Sequence, residues 1–216
     1  MTAASLDELR LELAPALASA AVWDGWSEAA VRAAAQDCGI DPDAALYAFK
    51  AGAMAMIAAW IASVDAAMEA DLPPERLGAM KIRERIRALV QFRLDAVAAN
   101  KEALRRALAI MAMPRNVPVA LKLGWRSADL MWRLAGDTAT DYNHYTKRTI
   151  LASIYGATLA VFVDDTSEDH AETKAFLSRR LDGVMRFEKV KAQLLKPDRE
   201  HFSPARFLGR LRYPAR

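Results

Sequence analysis

Three histidines, His144, His170 and His201, and one cysteine, Cys38, are the side chains of this 216-residue chain best suited to metal binding or nucleophilic attack. Their spacing supports neither. A di-iron site in a helical bundle takes two Glu-x-x-His pairs and two further carboxylates. The nearest approach is a single Asp141-x-x-His144. One cysteine builds no disulfide framework and no Cys-ligated zinc or iron–sulfur site. Cys38, at the end of an Ala-rich helix, reads as a small buried hydrophobe. The chain has no Gly-rich phosphate loop, no serine nucleophile elbow and no Gly-x-Gly-x-x-Gly. The expectation is a non-enzyme, with no catalytic residue, no metal and no cofactor.

The elements carrying these residues read as helices throughout. Ala supplies 45 of the 216 residues, and Gly and Pro only nine each. That mix favours helix nearly everywhere. About nine helices are expected, at 5–22, 28–38, 42–49, 51–69, 75–99, to about 113, 118–135, 141–163 and 169–195, with no strand. The fold class is all-α. The longest uncharged run, 51–64, is shorter than the roughly 20 residues that span a bilayer, so it reads as a buried helix. An acidic N-terminus (Asp7, Glu8, Glu12) resembles neither a signal nor a transit peptide.

A net charge of +3 conceals a split. Residues 1–72 hold 11 acids and three bases, a balance of −8, and residues 73–216 carry +11. Three parts are expected: an acidic head at 1–72, a helical core at 73–195 and a basic tail at 196–216. In the head, two short helices around Gly39 lead into Leu46-Tyr47-Ala48-Phe49-Lys50, which resembles the helix-turn-helix of TetR-type regulators. DNA affinity rests largely on Lys and Arg neutralising phosphates. Residues 24–63 carry five acids against two bases, so the head is expected to bind no nucleic acid. A TetR-type regulator sensing an apolar ligand stays as the alternative function.

The helix at 118–135 is apolar on two sides, Leu123, Leu130 and Leu134 on one and Trp125 and Trp132 on another. Tyr145, Ile150, Ile154, Leu159 and Phe162 repeat the theme at 141–163 among sparse hydroxyls. Such faces either pack in a core or wall a cavity. As a cavity they would suit a lipid with a small polar head. Trp125, Leu130, Trp132, Ile150 and Ile154 are the candidate lipid-binding residues. In the tail, Arg206, Arg210 and Arg212 alternate with Phe202, Phe207, Leu208, Leu211 and Tyr213. That composition fits an interfacial helix on anionic lipid, a segment docked on its own domain or a disordered tail.

Residues 135–159, AGDTATDYNHYTKRTILASIYGATL, resemble the signature of the ninth coenzyme Q biosynthesis family, a group of accessory lipid-binding proteins of ubiquinone synthesis. The match takes in Asn116-Val117-Pro118, Asp129-Leu130-Met131-Trp132 and Phe176-Leu177-x-x-Arg180-Leu181, about 116–187 in all. The resemblance implies a TetR-like fold without DNA binding, often homodimeric. It also implies a cavity for isoprenoid quinone intermediates and phospholipid. The family presents demethoxyubiquinone to the pathway's di-iron hydroxylase. The hydroxylase patch maps to Met131, His144 and Tyr145, with Asp129, Asp141 and Arg148 nearby. Where eukaryotic members carry Trp, this chain has the smaller His144. The basic tail would be the family's membrane-contacting helix. A cytoplasmic protein, peripheral on a bacterial inner membrane, is expected.

Overall fold

The computed structural model describes residues 5–138 and 142–194. Ten α-helices account for nearly all of them: α1 Leu6–Asp24, α2 Glu28–Cys38, α3 Pro42–Ala48, α4 Ala53–Asp71, α5 Pro74–Leu77, α6 Ile82–Val97, α7 Lys101–Met111, α8 Val117–Leu134, α9 Tyr142–Asp164 and α10 Ala171–Leu194. No strand occurs among the described residues. Two compact units divide the chain, one through Ser178 and one from Arg179.

Local sequence explains the helix ends. Ser5 and Glu8 form a reciprocal capping box at α1, with Glu8 N donating to Ser5 Oγ at 3.2 Å and Ser5 N to Glu8 Oε2 at 2.7 Å. Ser27 caps α2, which stops at Gly39 in the left-handed conformation (φ 66°). Asp41 caps α3, with Pro42 in its first turn. The long helix expected over 75–99 is instead broken between α5 and α6. Arg85 holds the break by donating to Gly78 O (2.8 Å), Met80 O (2.9 Å) and Ala135 O (2.8 Å). Cys38 is exposed and not buried. The buried face of α2, Ala30, Val31, Ala34 and Ala35, ends one turn before it.

In the first unit α1 packs on α2, α3, α4 and α7. Acidic helices and core helices thus share one interior, which includes Leu13, Leu17, Met68, Leu89, Met131 and Phe162. By length and composition α4 could cross a membrane, with 19 residues and a mean hydropathy of 1.4. Its buried side chains Met56, Ile57, Trp60, Val64 and Met68 nonetheless sit in the protein interior. Trp60 packs on Trp26 at 5.4 Å, and Trp26 Nε1 donates to Ala103 O at 3.0 Å.

The α9–α10 connection is pinned by Asp165. Its carboxylate accepts from Ser167 N (2.9 Å), Ser167 Oγ (2.5 Å), Thr173 N (2.8 Å) and Thr173 Oγ1 (2.5 Å). Burial pushes this carboxyl up, but the Ser167 and Thr173 hydrogen bonds outweigh burial and hold it far below the usual carboxylate range. A depressed carboxyl stabilises the fold above its unfolded value, about pH 4, and loses that contribution as pH falls below it. Asp165→Asn should therefore cost about 2 kcal/mol at pH 7. The cost should shrink toward pH 2, as read by urea denaturation across pH.

Candidate functional site

A cavity of about 510 Å³ lies between α4, α6, α7, α8 and α9, all in the first unit. This is within the roughly 300–1,000 Å³ of small-molecule sites. Its wall is mainly aliphatic and aromatic, with Ile57, Trp60, Leu108, Leu123, Trp125 and Leu159 among the lining residues. Small residues leave the room. Ala120 and Gly124 on α8, and Ala152 and Gly156 on α9, each four apart, share the lining faces. A Cβ at Gly124 or Gly156 would meet nothing within 4 Å. A helix-interior Gly costs about 0.5–1 kcal/mol relative to Ala. At these two positions the cost coincides with open volume. The cavity opens along α8 and α9, where Leu121 is 69% exposed and Thr149, Ser153 and Gly156 are exposed.

One polar cluster interrupts the apolar wall. Arg93 on α6 is fully buried and pairs through Nη1 with Asp65 Oδ1 of α4. Ser127 Oγ of α8 donates to Asp65 Oδ2 at 3.2 Å. The guanidinium lies 4.9 Å from the ring centre of Tyr155 on α9. Burial works to lower the Arg93 pKa, but Tyr155 and Asp65 raise it by more and keep the group charged. Its Nε is buried without a hydrogen-bond partner. Leaving such a donor unmatched costs about 1–3 kcal/mol. The lining hydroxyls of Thr149 and Ser153 already donate, Thr149 to Tyr145 O and Ser153 to Thr149 O, each at 2.9 Å.

Of the five residues proposed for lipid contact, only Trp125 borders this cavity. Leu130 and Ile154 are buried, Trp132 and Ile150 half-buried, and none of the four lines it. Trp132 is committed elsewhere, donating to Lys147 O at 3.0 Å with Lys147 Nζ 5.4 Å from its ring centre. The face of α8 and α9 that lines the space is the one bearing small residues and hydroxyls. α4 is also a wall, through Ile57, Trp60, Ile61 and Val64, although it lies in the 1–72 stretch expected as a separate acidic head. Spacing by four of Ala120/Gly124 and Ala152/Gly156 was the overlooked signal.

The proposed partner residues separate into two groups. Met131 is fully buried, and Arg148 is 2% exposed, so neither offers a surface contact. Arg148 is a brace. Its Nε donates to Asp129 Oδ1 at 2.5 Å, its Nη1 to Asp137 Oδ2 at 3.0 Å and to His144 O at 3.2 Å. Lys147 reaches Asp137 Oδ1 at 2.6 Å, and Arg133 reaches Asp129 at 3.2 Å. Burial pushes the Asp137 carboxyl up, yet hydrogen bonds from Lys147 and Arg148 bring it below its ordinary value. Tyr145, in contrast, is 62% exposed. Its ring lies 5.1 Å from His144 and 6.0 Å from Trp125. Trp125 thus belongs both to the cavity wall and to this aromatic corner. Asp141 and the tail residues Phe202, Arg206, Phe207, Leu208, Arg210, Leu211, Arg212 and Tyr213 lie outside the described residues.

Residues 117–188, which contain α8, α9 and much of the cavity wall, match the COQ9 family. This part of the chain is COQ9-like. Over 168 residues the chain is 33% identical to "Ubiquinone biosynthesis protein COQ9, mitochondrial" of Rattus norvegicus, covering 74% of this chain and 54% of that protein. The protein of the same name from Homo sapiens is also 33% identical over 168 residues, of which the chain covers 52%. The Drosophila melanogaster protein is 27% identical over 194 residues, 88% of this chain. The chain thus spans about half the length of the two mammalian relatives. A TetR transcriptional regulator from Nitrosomonas europaea ATCC 19718 superposes with a TM-score of 0.66 at 20% identity, covering 82% of this chain and 98% of that one. The fold is TetR-like, as the family resemblance implied.

Removing the Arg148 brace leaves Asp129 and Asp137 without their buried partner. Arg148→Met should destabilise by about 3 kcal/mol. Arg133→Met, at an exposed end of the same network, should cost under about 1 kcal/mol. Equilibrium urea denaturation measures both.

Proposed function

We propose that this protein acts in ubiquinone biosynthesis as a non-catalytic carrier. In this reading it takes isoprenoid quinone intermediates, or phospholipid, into the apolar cavity and offers the quinone to the di-iron demethoxyubiquinone hydroxylase. The observation that carries the reading is the cavity itself, walled by α8 and α9 within the COQ9-like segment. A prenyl chain in water costs about 0.8 kcal/mol for each exposed CH₂. Delivery to another protein therefore calls for an apolar sleeve. The aromatic corner of exposed Tyr145 and half-buried His144 is the proposed hydroxylase contact, with Asp129 at its edge. Aromatic side chains are common interface anchors. Trp125 joins that corner to the cavity, a short route from bound ligand to partner. The basic tail, Arg206 to Tyr213, is proposed to hold a homodimer on an anionic bilayer, peripheral to a bacterial inner membrane.

A repressor sensing an apolar ligand is the second reading, favoured by the TetR-like fold. Exposed Asp37, Asp41 and Asp43 surround α3 and would repel phosphate backbone. The carrier reading is the stronger one.

Mass spectrometry of organic extracts from the purified protein tests it. A prenylated quinone or phospholipid is expected in the wild type. Gly156→Leu, which grows into the cavity, should lose that ligand while its melting temperature holds or rises. Extracts free of lipid in both proteins would count against the carrier.

A further inference from the structure

The polar cluster in the cavity has more donor capacity than the fold itself uses. Arg93 is 2% exposed, borders the cavity and is fixed by Asp65 and Ser127. Its Nε–H is a buried donor with no hydrogen-bond partner among the described residues. Buried donors are nearly always matched, so an unmatched one beside open space points to an external acceptor. The charge of Arg93 is already balanced by Asp65. A charged carboxylate or phosphate would bring an uncompensated second negative charge into a low-dielectric site. An uncharged oxygen would not. Tyr155, stacked against the guanidinium, adds a flat aromatic surface beside that oxygen.

We propose that Arg93 is the specificity-determining residue of the cavity, donating from Nε to an uncharged carbonyl or ether oxygen on an otherwise apolar ligand. Asp65 and Ser127 are positioning residues that fix the guanidinium. The inference rests on the reading of the cavity as a binding site and deepens it. It identifies which end of the ligand lies deep in the cavity, namely the oxygen-bearing end, with the hydrocarbon leading outward past Gly124 and Gly156. A ring carbonyl of a prenyl quinone and an ester carbonyl of an acyl lipid share this chemistry.

Displacement of the uncharged fluorophore N-phenyl-1-naphthylamine from the full chain separates the cases. The competitors are a short-chain prenyl quinone, a fatty-acid methyl ester, the same fatty acid as its carboxylate, and farnesene, which has no oxygen. Wild type should bind the quinone or the ester at least tenfold tighter than farnesene, and the methyl ester tighter than the carboxylate. The tighter of quinone and ester identifies the source of the oxygen. Arg93→Lys keeps the ion pair but lacks Nε. The double variant Arg93→Met/Asp65→Leu removes both charges together. In each, the oxygenated ligands should weaken about tenfold and farnesene should not change. Equal wild-type affinities for farnesene and the uncharged oxygenated ligands would overturn the assignment, and that comparison needs no variant to fold. So would a parallel loss of all ligands in variants whose helicity is intact. If no competitor, farnesene included, displaces the fluorophore from wild type, the cavity is no apolar-ligand site and the carrier reading fails first.

Discussion

The buried Arg93–Asp65 pair is the constraint around which the first unit is arranged. It links α6 to α4, and through Ser127 and Tyr155 it engages α8 and α9. A charge pair taken out of water has a desolvation cost that its mutual attraction offsets only with good geometry and further hydrogen bonds. An apolar residue in that position would pack with less cost. What the pair provides is a fixed point where four helices meet without closing on each other. Apolar side chains then line the remaining space, and small residues on α8 and α9 keep it open. A second brace, Arg148 with Asp129 and Asp137, ties the end of α8 to the start of α9. Together the two arginines join the helices that surround the cavity, Arg93 linking α6 to α4 and Arg148 linking α9 to α8 and the segment after it.

The same arrangement connects the cavity to the surface. Trp125 presents one side to the cavity and packs with His144 and Tyr145 on the other. The residues that line the cavity come from both the acidic and the basic half of the sequence, Ile57, Trp60, Ile61 and Val64 of α4 among them.

Much of this architecture was legible in the residues. Ser5, Ser27 and Asp41 mark helix starts, Gly39 marks a stop, and the 3.6-residue period marks the apolar faces. The string from Ala135 to Leu159 carried the family resemblance. The break at 78–81 was hidden because it is held from outside, by Arg85 reaching across to Ala135 O. The cavity lining was hidden for a different reason. Periodicity identifies apolar faces but does not tell a face that packs from one that borders empty space. Leu130 and Ile154 looked like ligand contacts because they are large; the true lining is marked by what is small. Arg93 and Asp65 were 28 residues apart on separate helices, with nothing in either helix to single them out as partners. Arg148 and Met131 were placed on a surface by resemblance, and burial moved both inside.

Isothermal titration of the full chain with a short-chain prenyl quinone at several temperatures tests the central claim most directly. Saturable binding with one ligand per chain and a negative heat-capacity change is the predicted result, since burial of apolar surface is what gives that sign. Heats that never saturate, or binding whose enthalpy does not change with temperature, would contradict an apolar cavity as the site of function.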